Sequence, residues 1–342
     1  MVRYVLGFVC VFALTLVGCS ETAGDGGSGG TAGIGGEAGA GGFGGVGGAA
    51  GVGGTGGVGG EAGAGGFAGA GGAAGVGGNG ADYELVFADE FDSGTSPSAA
   101  NWTMETGYGI WGWGNDEWQL YTTSPDNVRV EGGNLVISAQ CPNAPCGVRD
   151  GSITSGKVHS RDKFEFKYGK IEARIQPPVG EAAWPAFWAL GANYPVVGWP
   201  RSGEIDFMEM SNWYSDERTT HFTMHWCDES IQWPEPCSFP EGRVYYSQSR
   251  TSDGSLGDHF HIFEAEWNEN QIVGKIDGLV YFTRAIDPTT MEEFQREFYL
   301  ILNVAMGGTF GSGGNPPNGT EVFPQTMWVD YVRVYQRVKE PN

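Results

Sequence analysis

The sequence predicts an all-β domain, an antiparallel sandwich or jelly roll, on two observations. Apolar residues recur with a period of two through much of residues 82–342, and turn signals rich in Gly, Asn and Asp separate the runs at short intervals. Val128 and Val130, then Leu135 and Ile137, alternate with other residues on either side of Glu131-Gly132-Gly133-Asn134, which predicts a hairpin. Ile171, Ala173 and Ile175 alternate with Lys170, Glu172 and Arg174. A second hairpin is expected to turn at Asp277-Gly278, between Ile272 to Ile276 and Leu279 to Phe282. Val329, Tyr331, Arg333 and Tyr335 alternate near the end. Only Asp287-Pro288 through Phe298 offers a helix start, with Asp as cap and Pro in the first turn.

Composition divides the 342-residue chain. Thirty-two of its 60 glycines lie in residues 21–80, which hold no Lys, Arg, Trp or Tyr. Without large apolar side chains that stretch cannot offset the entropy of ordering its backbone. Gly35 to Phe43 recurs as Gly59 to Phe67, but the unit has no stripe to bury, so residues 20–81 read as a disordered tether rather than a solenoid. Before it, Arg3 and the apolar run Val5 to Val17 form a signal peptide too short to span a membrane. The run ends in Leu16-Val17-Gly18-Cys19, which resembles a bacterial lipobox. The expectation is an exported lipoprotein of a bacterial cell envelope, at the outer membrane or cell surface and anchored through a lipidated Cys19.

Residues 82–342 are enough for one domain, hold all 12 Trp, and carry 37 acidic against 18 basic residues. Such a surface repels phosphate backbones, which excludes nucleic acid as a partner, and a monomer is expected. Cys141 and Cys146 bracket one short Pro-containing segment and Cys227 and Cys237 another, which suggests two local disulfides in an exported protein. Zinc is the rival reading, weakened by the absence of any Cys-x-x-Cys spacing.

The chemistry concentrates in Gly203-Glu204-Ile205-Asp206-Phe207-Met208-Glu209-Met210. On a regular strand Glu204 and Asp206 share a face and Glu209 points to the other. A one-residue bulge near Phe207-Met208 brings all three carboxylates to one side. Crowded like charges titrate together, and at least one proton is then held more tightly than in free Glu. One ionised and one protonated carboxyl are what retaining glycoside cleavage uses. In so acidic a domain the spacing alone is weak, since a solvated strand face would show it too. The neighbourhood strengthens it: Trp184-Pro185-Ala186-Phe187-Trp188 and Gly198-Trp199-Pro200 lie just upstream, and flat aromatic faces stack on sugar rings as readily as they fill cores.

Together with Asn115 to Thr122, Lys170 to Ile175 and Trp328 to Tyr335, the segment Trp184 to Met210 resembles the family 16 glycoside hydrolases, in their laminarinase branch. The resemblance covers roughly residues 84–337 and implies a curved, concanavalin-like jelly roll with a concave substrate cleft. It implies that Glu204 is the nucleophile, Glu209 the general acid/base, and Asp206 a hydrogen-bonding support for the nucleophile. Asn115, Trp184, Trp199 and His225 match substrate contacts. The segments 141–146 and 227–237 are not part of the shared pattern. No cofactor is needed for the chemistry; a structural calcium would sit at the backbone oxygens of Glu90 and Gly133 and the Asp330 carboxylate, since oxygen ligands suit a hard cation. His221 and His225 are expected to share a strand face as hydrogen-bonding groups, because no third metal ligand is placed beside them.

The implied activity is internal cleavage of β-1,3-glucan, with mixed-linkage β-1,3/1,4-glucan as a secondary substrate. Agarose or another galactan on the same scaffold, and a non-catalytic lectin-like domain, are the alternatives. Residues 176–217 hold only Arg201 as a basic residue, which favours a neutral chain over a sulfated one.

Overall fold

The structure, a computed structural model, describes residues 83–232, 235, 237 and 242–338. The signal segment, Cys19 and the tether lie outside the described residues. Along the described chain run β1 (Tyr83–Asp89), β2 (Thr103–Met104), β3 (Leu120–Tyr121), β4 (Val128–Glu131), β5 (Asn134–Ala139), β6 (Thr154–Ser155), β7 (Lys157–His159), β8 (Gly169–Gln176) and β9 (Ala183–Gly191). Then follow β10 (Glu204–Glu209), β11 (Thr219–Cys227), β12 (Arg243–Thr251), β13 (His261–Asn268), β14 (Gln271–Ile276), β15 (Leu279–Ala285), β16 (Phe298–Met306) and β17 (Gln325–Arg337).

Two antiparallel sheets make the sandwich. One has the order β15-β14-β13-β8-β17-β5-β4 with β1 also paired to β17; the other runs β12-β11-β10-β9-β16-β7-β2. Consecutive strands pair in β15-β14-β13 and β12-β11-β10-β9, while β17 between β8 and β5 and β16 between β9 and β7 bring together segments distant in sequence, as expected of a jelly roll. The core lies between the sheets. Ile171, Ala173, Ile175, Phe263, Met327 and Val332 from the first meet Phe187, Ile205, Phe207, Phe222, Leu300 and Leu302 from the second, all essentially without exposure. Gly274 on β14 leaves room for this packing: a Cβ there would lie 2.3 Å from the Phe222 ring, which stacks on Phe282 at 4.2 Å.

Both expected hairpins form. Gly132 and Gly133 turn between β4 and β5 with φ of 61° and 77°, and Asp277 and Gly278 turn between β14 and β15 with φ of 49° and 77°. Two positive φ values in succession match the right-handed twist of paired strands. Cys141 joins Cys146 and Cys227 joins Cys237.

Two expectations are corrected. The segment from Asp287 supplies only a short 3₁₀ turn, Glu292–Gln295. Asp287 does accept the Thr289 N–H at 2.9 Å, but the chain closes a turn there and does not propagate a helix. The alternation of Val329 with Tyr331, Arg333 and Tyr335 is broken by a shift in register against β8 between Val329 and Tyr331. Val329 is therefore inward with Val332 and Val334, while Arg333 and Tyr335 face outward.

Candidate active site

The second sheet carries the site on the face away from the core. Its acidic strand is irregular where the spacing requires it. On β10, Asp206 pairs with Thr223 and Glu209 with His221, so three residues of β10 oppose two of β11. Against β9 the same shift falls between Asp206 and Met208. Phe207 and Met208 are both buried in the core, and the extra residue returns Glu209 to the side of Glu204 and Asp206. Directly paired residues of antiparallel strands share a face, so the same side receives Leu190, Trp188 and Ala186 from β9 and His225, Thr223 and His221 from β11.

The three carboxyls are held in a partly dry environment. Asp206 is 3% exposed, and its Oδ2 accepts no hydrogen bond and lies 3.5 Å from His225 Nε2. Glu204 Oε1 is 3.6 Å from the same nitrogen. Trp184 Nε1 donates to Glu209 Oε1 at 3.0 Å, and its ring lies edge-on to Phe310 at 5.3 Å. Burial raises the pKa of Glu204, and the neighbouring Glu209 charge raises it further; a hydrogen bond with Trp199 opposes both. Burial also raises Glu209, against the hydrogen bonds of Trp184 and Thr223. Asp206 rises through burial and then through the charges of Glu204 and Glu209. The trio therefore titrates as one unit, with its protons held above the ordinary carboxylate range. Burial, with Arg243 nearby, lowers His225 to about 3, so at neutral pH this imidazole is an uncharged hydrogen-bonding group. His221, also lowered by burial, has its Nε2 3.2 Å from Ser215 Oγ.

Around the acids lie the aromatic residues. Trp199 is half-buried, its ring 5.8 Å from that of His225, and it packs on Leu190, Tyr299 and Ile301 beside Trp188. Trp188, which the sequence left between core and cleft, is on the cleft side, with Nε1 donating to Asn303 Oδ1 at 2.7 Å. Asn115 occupies a turn of mostly positive φ at Gly112–Asp116 and donates to Glu117 Oε1 at 3.3 Å. It stands at the end of a buried chain of hydrogen bonds. Gln119 and Tyr121 donate to Glu117 Oε2 at 2.6 and 3.2 Å, and Asn303 donates to the Tyr121 hydroxyl at 3.1 Å. Asn115 thus reaches Trp188 through Glu117, Tyr121 and Asn303.

Several residues here were not selected from the sequence. Tyr299, Ile301 and Asn303 come from β16, and Lys157 and His159 from β7, which pairs beside it. Lys157 lies 3.0 Å from Glu105 and 4.1 Å from the centre of the Trp113 ring. It corrects the charge count: the acidic strand is poor in basic residues, but the sheet brings Lys157 from β7, and Arg243 from β12 acts electrostatically on His225. The one legible signal was Asn303, a single amide inside the otherwise apolar Phe298 to Met306.

Among the described residues, one cluster brings three metal-ligating side chains together: Glu204, Asp206 and His225, with ligand atoms within 4.8 Å of one another. Glu90, Gly133 and Asp330 belong to the other sheet and its turns. There Arg174 Nη1 pairs with Asp330 Oδ2 at 2.7 Å, and Arg333 grips the Glu90 carboxylate at 2.7 and 2.8 Å.

Comparison with known proteins agrees with this geometry. The family model described as Glycosyl hydrolases family 16 matches residues 115–322. The chain is 35% identical over 286 residues to a glucan endo-1,3-beta-glucosidase A1 of Niallia circulans, covering 75% of this chain but 38% of that protein. It is 33% identical over 267 residues to a beta-glucanase of Rhodothermus marinus, covering 75% of this chain and 86% of the relative. The solved laminarinase catalytic domain of Thermotoga maritima MSB8 superposes with a TM-score of 0.63 at 37% identity, covering 75% of this chain and all of that one. With its jelly roll and its bulged acidic strand, the chain belongs to glycosyl hydrolase family 16.

Proposed function

We propose that the protein is a retaining endo-hydrolase of β-1,3-glucan, with mixed-linkage β-1,3/1,4-glucan as a secondary substrate. The observation that carries this reading is the bulge that sets Glu204, Asp206 and Glu209 on one aromatic-lined face. Glu204 attacks the anomeric carbon while Glu209 gives its proton to the departing glycosidic oxygen. Glu209, now ionised, takes a proton from the water that releases the sugar from Glu204. Asp206, buried between them, supports Glu204, and neutral His225 donates at one ring nitrogen and accepts at the other without adding charge. Trp184 orients the Glu209 carboxyl; Trp188 and Trp199 offer faces to the sugar chain. The carboxyls themselves supply nucleophile and proton, so no cofactor enters a step. A binding module would gain nothing from three desolvated acids crowded on one strand face.

The test is a reducing-sugar assay of the purified domain on laminarin, curdlan, lichenan, agarose and κ-carrageenan, with Glu204→Ser as blank. Laminarin and curdlan should be cut, and lichenan more slowly. Cleavage of agarose or carrageenan without laminarin would replace the glucanase reading with a galactanase, and binding without cleavage would favour a lectin.

The pH profile should carry the mark of the crowded acids. Activity needs one carboxyl ionised and one protonated. Lowering the pH protonates the nucleophile, and raising it strips the acid. Because burial raises all three acids, and neighbouring carboxylate charge raises Glu204 and Asp206 further, the acidic limb of kcat/KM should lie above the ordinary carboxylate value of about 4, moving the optimum toward neutrality. An optimum near pH 4 would contradict this electrostatic picture.

A structural calcium would be held by the Glu90 and Gly133 backbone oxygens and Asp330. Oxygen donors suit it, and Asp92 Oδ1 comes within 3.7 Å of where a Cβ on Gly133 would stand. The ion would compete with Arg174 for Asp330. At the other end of the chain, lipidation of Cys19 would tether the domain, through a Gly-rich coil spanning about 40–45 Å, to the membrane of the envelope. Full-length protein expressed in a bacterium should fractionate with membranes, and Cys19→Ser should release it or block processing. A mature N-terminus beyond Cys19 by mass spectrometry would refute the anchor.

A further inference from the structure

The segment bracketed by Cys227 and Cys237 reaches the turn beside the cleft through one side chain. Arg201 Nη2 donates to two of its carbonyls, Ile231 O at 2.8 Å and Glu235 O at 3.0 Å. Arg201 closes the turn that presents Trp199: the Ser202 N–H bonds Gly198 O and the Gly203 N–H bonds Pro200 O, both at 2.9 Å. On the far side of that turn the Trp199 ring faces His225, two residues before Cys227 on the same strand. Beside Arg201 lies a cavity of about 320 Å³ lined by Asn193, Val196, Val197, Arg201, Glu292 and Arg296. The turn thus packs through Trp199 on Leu190, Tyr299 and Ile301, and on its other side Arg201 ties it to the insert.

We propose that the Cys227–Cys237 bridge and Arg201 act together as a strap that sets Trp199 for substrate binding, so that reduction of this bridge loosens the hold on the glucan chain. The bridge keeps the carbonyls of Ile231 and Glu235 converged on one guanidinium nitrogen. A lone carbonyl on a freed loop would be exchanged for water, at the net cost of an ordinary hydrogen bond. Arg201 touches neither acid nor sugar and is a positioning residue. Its loss should appear in KM, because the acids on β10 remain where they are.

This inference rests on the glucanase reading, and the experiment separates the two. Cys141→Ala/Cys146→Ala serves as the parent, leaving one disulfide. Dithiothreitol reduces it to two thiols and is itself oxidised to its cyclic disulfide. Reduction should raise KM for laminarin about five- to twentyfold while kcat changes less than threefold. Arg201→Ala, kept oxidised, should show the same split, and reducing that variant should add no further change. Arg201→Lys, with a single ammonium in place of the planar fork, should recover part of the loss. With Trp233 inside the bracketed segment replaced by Phe throughout, tryptophan emission should shift to the red on reduction of the parent and not of Arg201→Ala, a readout that needs no turnover. An oxidised parent that cleaves no glucan would sink the glucanase reading while leaving the fluorescence test standing. Unchanged KM on reduction, or effects of reduction and Arg201→Ala that multiply, would overturn the strap.

Discussion

Glu204→Ser should abolish glucan hydrolysis, with kcat falling by about a thousandfold or more, because serine leaves no carboxylate to form the glycosyl-enzyme. The loss should not come from misfolding. Glu204 lies on the cleft face, away from the core packing of Ile205 and Phe207. Removing its charge should in fact stabilise the domain at neutral pH. Burial and Glu209 keep this carboxyl protonated to a higher pH in the folded chain than in the unfolded one. Below about pH 4 both states are protonated and the group costs nothing. As pH rises past the unfolded value the unfolded chain ionises first, so stability falls until the folded carboxyl ionises too, and above that the whole cost remains. Glu204→Gln should therefore melt higher than the parent at pH 7 and equal to it near pH 3, measured by circular dichroism. Full activity in Glu204→Ser would sink the site; a lower melting temperature at pH 7 would sink the electrostatic account.

Glu209→Ala should also be severe, by about 10² to 10⁴-fold on polysaccharide, where the departing oxygen needs its proton. Its failure should differ in kind. On an activated aryl β-glucoside, whose leaving group departs without protonation, the first step should survive and the glycosyl-enzyme should accumulate, because no base activates water. Azide needs no base. Added azide should restore turnover and yield a glycosyl azide of β configuration by NMR. The same azide should not rescue Glu204→Ser to a β product, since only one displacement is then possible. Inverted stereochemistry in the unmodified enzyme would overturn the two-step mechanism.

The readable parts of the fold were those whose two faces meet different surroundings. Ile171, Ala173 and Ile175 alternate with charged residues because one face of β8 meets the core and the other solvent. The bulge on β10 was legible for a chemical reason: acids at 204, 206 and 209 cannot share a face without it. The β16 strand was not legible, since both its faces are covered, by core on one side and by Tyr299, Ile301 and Asn303 of the cleft on the other, so no period shows. The shift in β17 was hidden although Asp330 and Arg333 change phase across it, because Tyr331, amphipathic enough for either face, keeps an apparent alternation from Val329 to Tyr335. Lys157, Glu117 and Arg243 were missed because strand order, not chain order, brings residues to a cleft. Arg201 was counted only as a charge, although its partners are carbonyls, which leave no mark in a sequence.

The irregularity in β10 also decides where this strand can change length. Deleting a residue elsewhere in a strand inverts the facing of everything beyond it and would drive Glu209 into the core or Phe207 out of it. Deleting one residue of the Phe207-Met208 pair, which together oppose the single Phe222 of β11, would instead remove the extra residue, leaving a regular strand with acids at alternate positions, all still facing the cleft. At this point the strand can lose one residue and keep its acids on one face. The same strand can therefore be bulged or regular and still present its three acids to the cleft.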